Sequence, residues 1–126
     1  MGCCAVCPRC AQTCGLHGAL HVGPRRNIAH GEQSDLAATL AALRIELACD
    51  GKTVDRGVGA NVLDGPLQAL AHLVAVLGSD AGNPPLRAGE MVTTGTLTRA
   101  FPVRPGEIWS TRIEGFALPG LSAVMS

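Results

Sequence analysis

Cys4, Cys7, Cys10 and Cys14 fall at C-x2-C-x2-C-x3-C, a spacing at which thiolates can gather around one metal. A tight loop brings sulfurs three residues apart together. The run therefore suits an iron–sulfur cluster, and any four of Cys3, Cys4, Cys7, Cys10 and Cys14 suit zinc. Its surroundings argue against both metals. Gly15 rather than Pro follows the last cysteine, the ligands of the second cluster that a fourth Cys normally serves are missing, and Cys49 stands alone downstream. Clustered Cys, Arg, Pro, Ala and Gly are also what GC-rich DNA yields when read out of frame. Residues 1–14 are therefore expected to be a Cys-rich leader outside the fold.

Other chemistry is sparse. Gly57-Val58-Gly59 opens like a dinucleotide fingerprint, but Val62 stands where a third Gly is needed, so a close backbone approach inside a strand explains it better. His72 lies within an apolar helical pattern and reads as structural; His17 and His21 have no carboxylate neighbour in sequence. Ser110 and Ser122 sit in no nucleophile-elbow context. The acidic residues are spread singly. No E-x-E or D-x-D pair projects two carboxylates to one side of a strand, the simplest way to hold Mg²⁺, so no metal is expected to bind this chain alone.

The elements that must position any site come from a chain of 126 residues, 47% hydrophobic and 16% charged, which fits one globular domain. Ten basic and ten acidic residues give a formal net charge of zero, with two Phe and one Trp, so no basic stripe or stacking platform for nucleic acid exists. The longest apolar stretch, Leu67 to Leu77, is interrupted by Gln68 and His72 and is too short to cross a bilayer. No signal-peptide pattern is present, and Val6 replaces the Ser or Thr that an acylation motif on Gly2 requires. A cytoplasmic protein without a membrane partner is expected.

Leu43 to Ala48 alternates with period two, Asp50-Gly51 forms a turn pair, and Thr53 to Val58 alternates again, which predicts a hairpin. Leu36 to Leu43 is Ala/Leu-rich and compatible with a helix. Asp64-Gly65-Pro66 reads as a helix start capped by Asp64, and Leu67, Leu70, Leu73, Val74 and Leu77 recur at helical spacing up to Gly78. This predicts one clear helix at about 66–77. Further strands are expected at Ala19–Val22, Met91–Thr94, Ile108–Ile113 and Leu121–Val124. The fold class is α+β with strands dominant.

Three stretches together resemble the fumarylacetoacetate hydrolase superfamily, in the branch of 2-oxopent-4-enoate hydratases and 4-oxalocrotonate decarboxylases. They are GVGANVLDGPLQALAHL (Gly57–Leu73), PLRAGEMVTTGTLTRAFPVRPGEIW (Pro85–Trp109) and TRIEGFALPGLS (Thr111–Ser122). GLHGALHVGP (Gly15–Pro24) resembles the segment that follows an Asp-Asn pair in that family. The resemblance implies a mixed β-roll, here a truncated one over residues 15–126. It also implies Mg²⁺- or Mn²⁺-dependent addition of water to a small 2-oxo or 2-hydroxydienoic acid of aromatic-compound breakdown, or the related decarboxylation. By the same resemblance Thr94, Gly95 and Thr96 contact the bound acid, while Leu97 and Leu63 form an apolar wall. The family's metal carboxylates and Lys fall upstream, so the catalytic residues are not in these motifs and the chain is expected to be a fragment. A homo-oligomer or a complementing N-terminal half follows as the expected partner. The competing expectation is a non-catalytic metal-binding (Fe–S or Zn) or interaction module built on the Cys run.

Overall fold

Two alternating runs and the turn between them build the centre of the fold. The computed structural model describes residues 19–126. β1 (Arg44–Cys49) and β2 (Lys52–Val58) pair antiparallel, with a register shift between Leu47 and Ala48. Asp50 (φ 49°) and Gly51 (φ 78°) both adopt the left-handed conformation, as a type I′ hairpin turn demands. The Asp50 carboxylate accepts the amide of Ile108 at 2.9 Å, and this fixes the turn to the next strand.

β3 (Ile108–Glu114) pairs with β1 on the side away from β2, and β4 (Ser122–Val124) pairs with β3. The result is a four-stranded, wholly antiparallel sheet in the order β2-β1-β3-β4. Register sorts the side chains by face. Arg44, Glu46, Arg56, Arg112 and Glu114 share one face, while Ile45, Leu47, Trp109 and Ile113 share the other. Glu46 lies between Arg56 at 2.8 Å and Arg112 at 3.6 Å, so cross-strand ion pairs account for the charged face.

The described residues hold two α-helices, the clear one expected and the one that was only compatible with the sequence. α1 (Gln33–Ala42) follows a 3₁₀ turn at His30–Glu32, and α2 (Pro66–Ser79) follows a second such turn at Gly59–Asn61. The Ala/Leu-rich run is thus a true helix that packs against the Gly59–Asn61 turn and α2. Gly59 is where the packing is closest, because a β-carbon there would overlap the Leu40 carbonyl of α1. The buried apolar side chains among the described residues, Leu43 and Val62 at 5% exposure each, lie at this junction.

Several expectations need correction. Asp64 does not cap α2: Gly65 (φ 145°) occupies the cap position without a side-chain bond, and Leu63 (φ 44°) and Asp64 (φ 64°) are both left-handed. The tight reversal that brings the chain off the second 3₁₀ turn has priority over capping, while Pro66 does open the helix as expected. The helix also runs through Gly78 to Ser79. Met91–Thr94 and Ala19–Val22 form no strand, and neither exchanges ladder bonds with the sheet.

Gly59–Ser79 is, by length and composition alone, long and apolar enough to cross a membrane (21 residues, mean hydropathy 1.3). The left-handed residues at 63 and 64 interrupt it, however, and α2 itself has 14 residues. At about 1.5 Å per residue it falls short of the roughly 30 Å hydrocarbon layer.

Candidate functional site

The residues singled out for acid binding lie on an irregular segment that crosses β2 on the sheet face carrying Ile45, since a β-carbon on Gly57 would meet both the Leu97 carbonyl and the Ile45 side chain. Thr94, Gly95 and Thr96 are exposed and Leu97 is half-buried. This loop comes against the turn that follows β2. A β-carbon on Gly95 would stand 3.5 Å from Cγ1 of Val62, in ordinary contact. A β-carbon on Gly57 would overlap the Leu97 carbonyl oxygen, so only glycine admits the loop there. The Asn61 side-chain amide donates to the same Leu97 carbonyl at 3.0 Å. Two motifs more than thirty residues apart in sequence therefore form one structure, and the close backbone approach expected at Gly57-Val58-Gly59 is present at both glycines.

A second tether lies two residues further on. The Arg99 amide donates to Oδ2 of Asp55 at 2.9 Å, and the Arg99 guanidinium sits 3.4 Å from the same oxygen. The backbone bond from Arg99 holds the Asp55 carboxyl below the usual carboxylate range, against the opposing effect of its partial burial. Phe101 then stacks on Trp109 with ring centroids 5.9 Å apart, carrying the segment onto the apolar sheet face.

Leu63 follows Val62 directly. It is 62% exposed and left-handed, a conformation that a branched apolar residue rarely adopts. It is thus held out of the core rather than packed within it.

Asn61, Asp55 and Arg99 are site residues that no pattern in the sequence singled out. A lone Asn after a Gly-rich strand carries no pattern, and a pairing from Asp55 to Arg99 is invisible without the fold. His72 is exposed on α2 and His21 is exposed in the first described segment, so neither is brought to this loop. Cys4, Cys7, Cys10 and Cys14 lie outside the described residues. Cys49, at the end of β1, is a half-buried thiol whose pKa is pushed up by burial and by Glu107 and Asp50 nearby, the opposite of an activated nucleophile.

A shallow cleft of about 520 Å³ opens at the end of the sheet, between Arg44, Glu46, Arg56, Asn61, Arg112 and Glu114. The Glu46 carboxyl is held low chiefly by its bond from Arg56, with help from Thr53 and Arg112. The carboxylates here are occupied by arginines. Among the described residues no group of three His, Cys, Asp or Glu is placed to hold a metal ion, so the described donor set does not fit Mg²⁺ or Mn²⁺.

The fumarylacetoacetate (FAA) hydrolase C-terminal family matches residues 10–119 of this chain. Among curated relatives, 4-oxalocrotonate decarboxylase of Pseudomonas sp. (strain CF600) is 33% identical over 71% of this chain and 34% of its own length. The 2-keto-4-pentenoate hydratase of Paraburkholderia xenovorans (strain LB400) is 38% identical over 52% of this chain and 23% of its own length. The chain thus spans about a third or less of these relatives. A solved 4-oxalocrotonate decarboxylase from Pseudomonas putida G7, complexed with magnesium and adipate, superimposes with a TM-score of 0.63 and 33% identity over 70% of this chain and 32% of that one. The same enzyme complexed with calcium and acetate gives an equal match.

Proposed function

Because the chain belongs to the fumarylacetoacetate hydrolase C-terminal family, we propose that it supplies the acid-binding loop of a 2-keto-4-pentenoate hydratase-like or related decarboxylase catalyst of aromatic-compound breakdown. The ligand is a small 2-oxo or 2-hydroxydienoic acid. Thr94, Gly95 and Thr96 offer hydroxyls and close backbone amides to its carboxylate, and Leu97 and Leu63 receive its hydrocarbon tail. The observation that carries this reading is the junction of Thr94–Leu97 with Gly57–Val62, two motifs of the same family brought together by one carbonyl.

A divalent metal, when bound in such a catalyst, polarises the enolic oxygen and carboxylate so that water can add to the remote double bond. The described residues supply no ligand set for it. The metal-binding and proton-transfer groups therefore belong to another part of the catalyst. That part is a complementing N-terminal half, while a second copy would repeat the same donor set and serve only as an oligomer partner; apolar surface such as Val74, at 52% exposure, and Val76, at 61%, is open to either. A cytoplasmic location accompanies this reading.

The test has two measurements. Amide shifts of the purified chain titrated with 2-oxopentanoate should concentrate at Thr94–Leu97, and shifts scattered over the surface would remove the assignment. Loss of 2-hydroxypenta-2,4-dienoate absorbance with Mg²⁺ should be undetectable for the chain alone. It should appear when the N-terminal portion of a hydratase relative is added. Turnover by the chain alone would show that it carries its own catalytic groups.

A further inference from the structure

The segment Met91–Phe101 has no regular structure, so something other than a ladder must hold it in place. Among the described residues its hydrogen bonds to the rest of the molecule come from two side chains: Asn61 to the Leu97 carbonyl and Asp55 to Arg99. Gly57 pairs with Ile45 and Asp55 with Leu47, so both face the apolar side of the sheet, and Leu97 and Arg99 are held over that face. Asn61 and Asp55 flank Gly57 on either side along the chain. Side chains thus tether a segment that crosses the sheet face, and Gly57 leaves the gap into which the Leu97 carbonyl fits.

We propose that Asn61 is a positioning residue for the Thr94–Leu97 loop, clamping the Leu97 carbonyl over Gly57 so that the loop is ordered before an acid arrives. This rests on the reading of that loop as the carboxylate site. A trans peptide points its C=O and N–H in opposite directions, so pinning the Leu97 carbonyl inward turns the Thr98 amide outward. That amide has no acceptor among the described residues and becomes a further donor for an anion. Asn61 also lines the cleft at the sheet end. Ordering the loop in advance removes an entropic cost from binding.

The experiment compares the parent chain with Asn61→Asp, which keeps the size and loses the donor, and Asn61→Gln, which keeps a donor. Hydrogen exchange at the Arg99 amide and 2-oxopentanoate titration are read on each, with β1 and β3 amides as the control for folding. Asn61→Asp should speed Arg99 exchange and weaken acid binding by about five-fold each, the factor set by one hydrogen bond, with the sheet amides unchanged. Asn61→Gln should recover part of both. Unchanged Arg99 exchange in Asn61→Asp overturns the clamp, whatever the binding. Faster exchange in a series in which the parent itself binds no acid keeps the clamp and removes the carboxylate reading instead.

Discussion

The β1–β2 hairpin and the Met91–Phe101 segment lie side by side, but they are held by different means. The hairpin has a register of paired residues from Arg44↔Val58 to Cys49↔Lys52, so its order is shared among many backbone bonds. The segment beside it depends on Asn61, Asp55 and a glycine gap. Losing one bond from a ladder leaves the rest; losing one tether from the segment releases one of the two points at which hydrogen bonds hold it. The same division separates framework from candidate site, as expected where a binding loop is drawn from the less stable part of a molecule.

Two glycines of one short run should separate these regimes most sharply. A β-carbon on Gly59 meets the Leu40 carbonyl in the packed junction of α1, whereas one on Gly57 meets the Leu97 carbonyl of the tethered loop. Helix and turn cannot part without exposing Leu43 and Val62. Gly59→Ala is therefore expected to destabilise the chain by about 3 kcal/mol or more. Gly57→Ala should cost about 1 kcal/mol, because the loop yields instead of the sheet. Denaturant midpoints measure the first difference, and loss of Arg99 amide protection in Gly57→Ala measures the second. Equal destabilisation by both would mean that the loop is as firmly built as the helix junction.

The framework was legible in the sequence because period-two alternation around Asp50-Gly51 has one economical solution, and the apolar spacing after Pro66 has another. α1 was legible only as a possibility, since Ala-rich helices carry a weak amphipathic signal. The lone Gly-x-Gly pair was legible as a close backbone approach, and the structure has one at both glycines, while the family resemblance singled out Thr94–Leu97 as the acid-binding loop that the proposal rests on. It could not reveal Asn61 or Asp55, whose roles exist only once two distant segments meet. Asp64 misled for a related reason: capping preference is local, and the reversal at Leu63–Gly65 is imposed by where the 3₁₀ turn delivers the chain.

Acidification offers a smaller and more selective way to part the two regions. The Asp55 carboxyl is held below its ordinary value by the Arg99 amide, and Glu46 is held low by Arg56. A depressed folded-state pKa contributes stability that is present above the unfolded value, about 3.9 for Asp and 4.3 for Glu. That contribution is lost as pH falls through the lower folded value. Below about pH 4 the Asp55–Arg99 tether should therefore fail first, while the hairpin persists. Amide spectra recorded on stepwise acidification should show Arg99 and its neighbours moving before the β1 and β3 residues. Simultaneous loss would indicate that loop and sheet unfold as one unit.

The smallest expected change in stability carries the most information about recognition. Leu63 sits at φ 44° with 62% of its surface exposed, so it is a strained residue with little burial to lose. Left-handed geometry disfavours an L residue by roughly 1–2 kcal/mol, and glycine gives back about 0.5–1 kcal/mol through the freedom it gains on unfolding. Leu63→Gly should consequently shift stability by no more than about 1 kcal/mol in either direction. Binding should respond differently if Leu63 is the apolar wall of the site. Covering part of a leucine by an aliphatic tail is worth enough that the affinity for 2-oxopentanoate should fall about five- to ten-fold. Pyruvate, which presents the same 2-oxo carboxylate with a single methyl, should bind Leu63→Gly and parent alike. If both acids weaken together, Leu63 supports the loop instead of touching the ligand, and the chain-length preference must come from Leu97 or from the partner that completes the site.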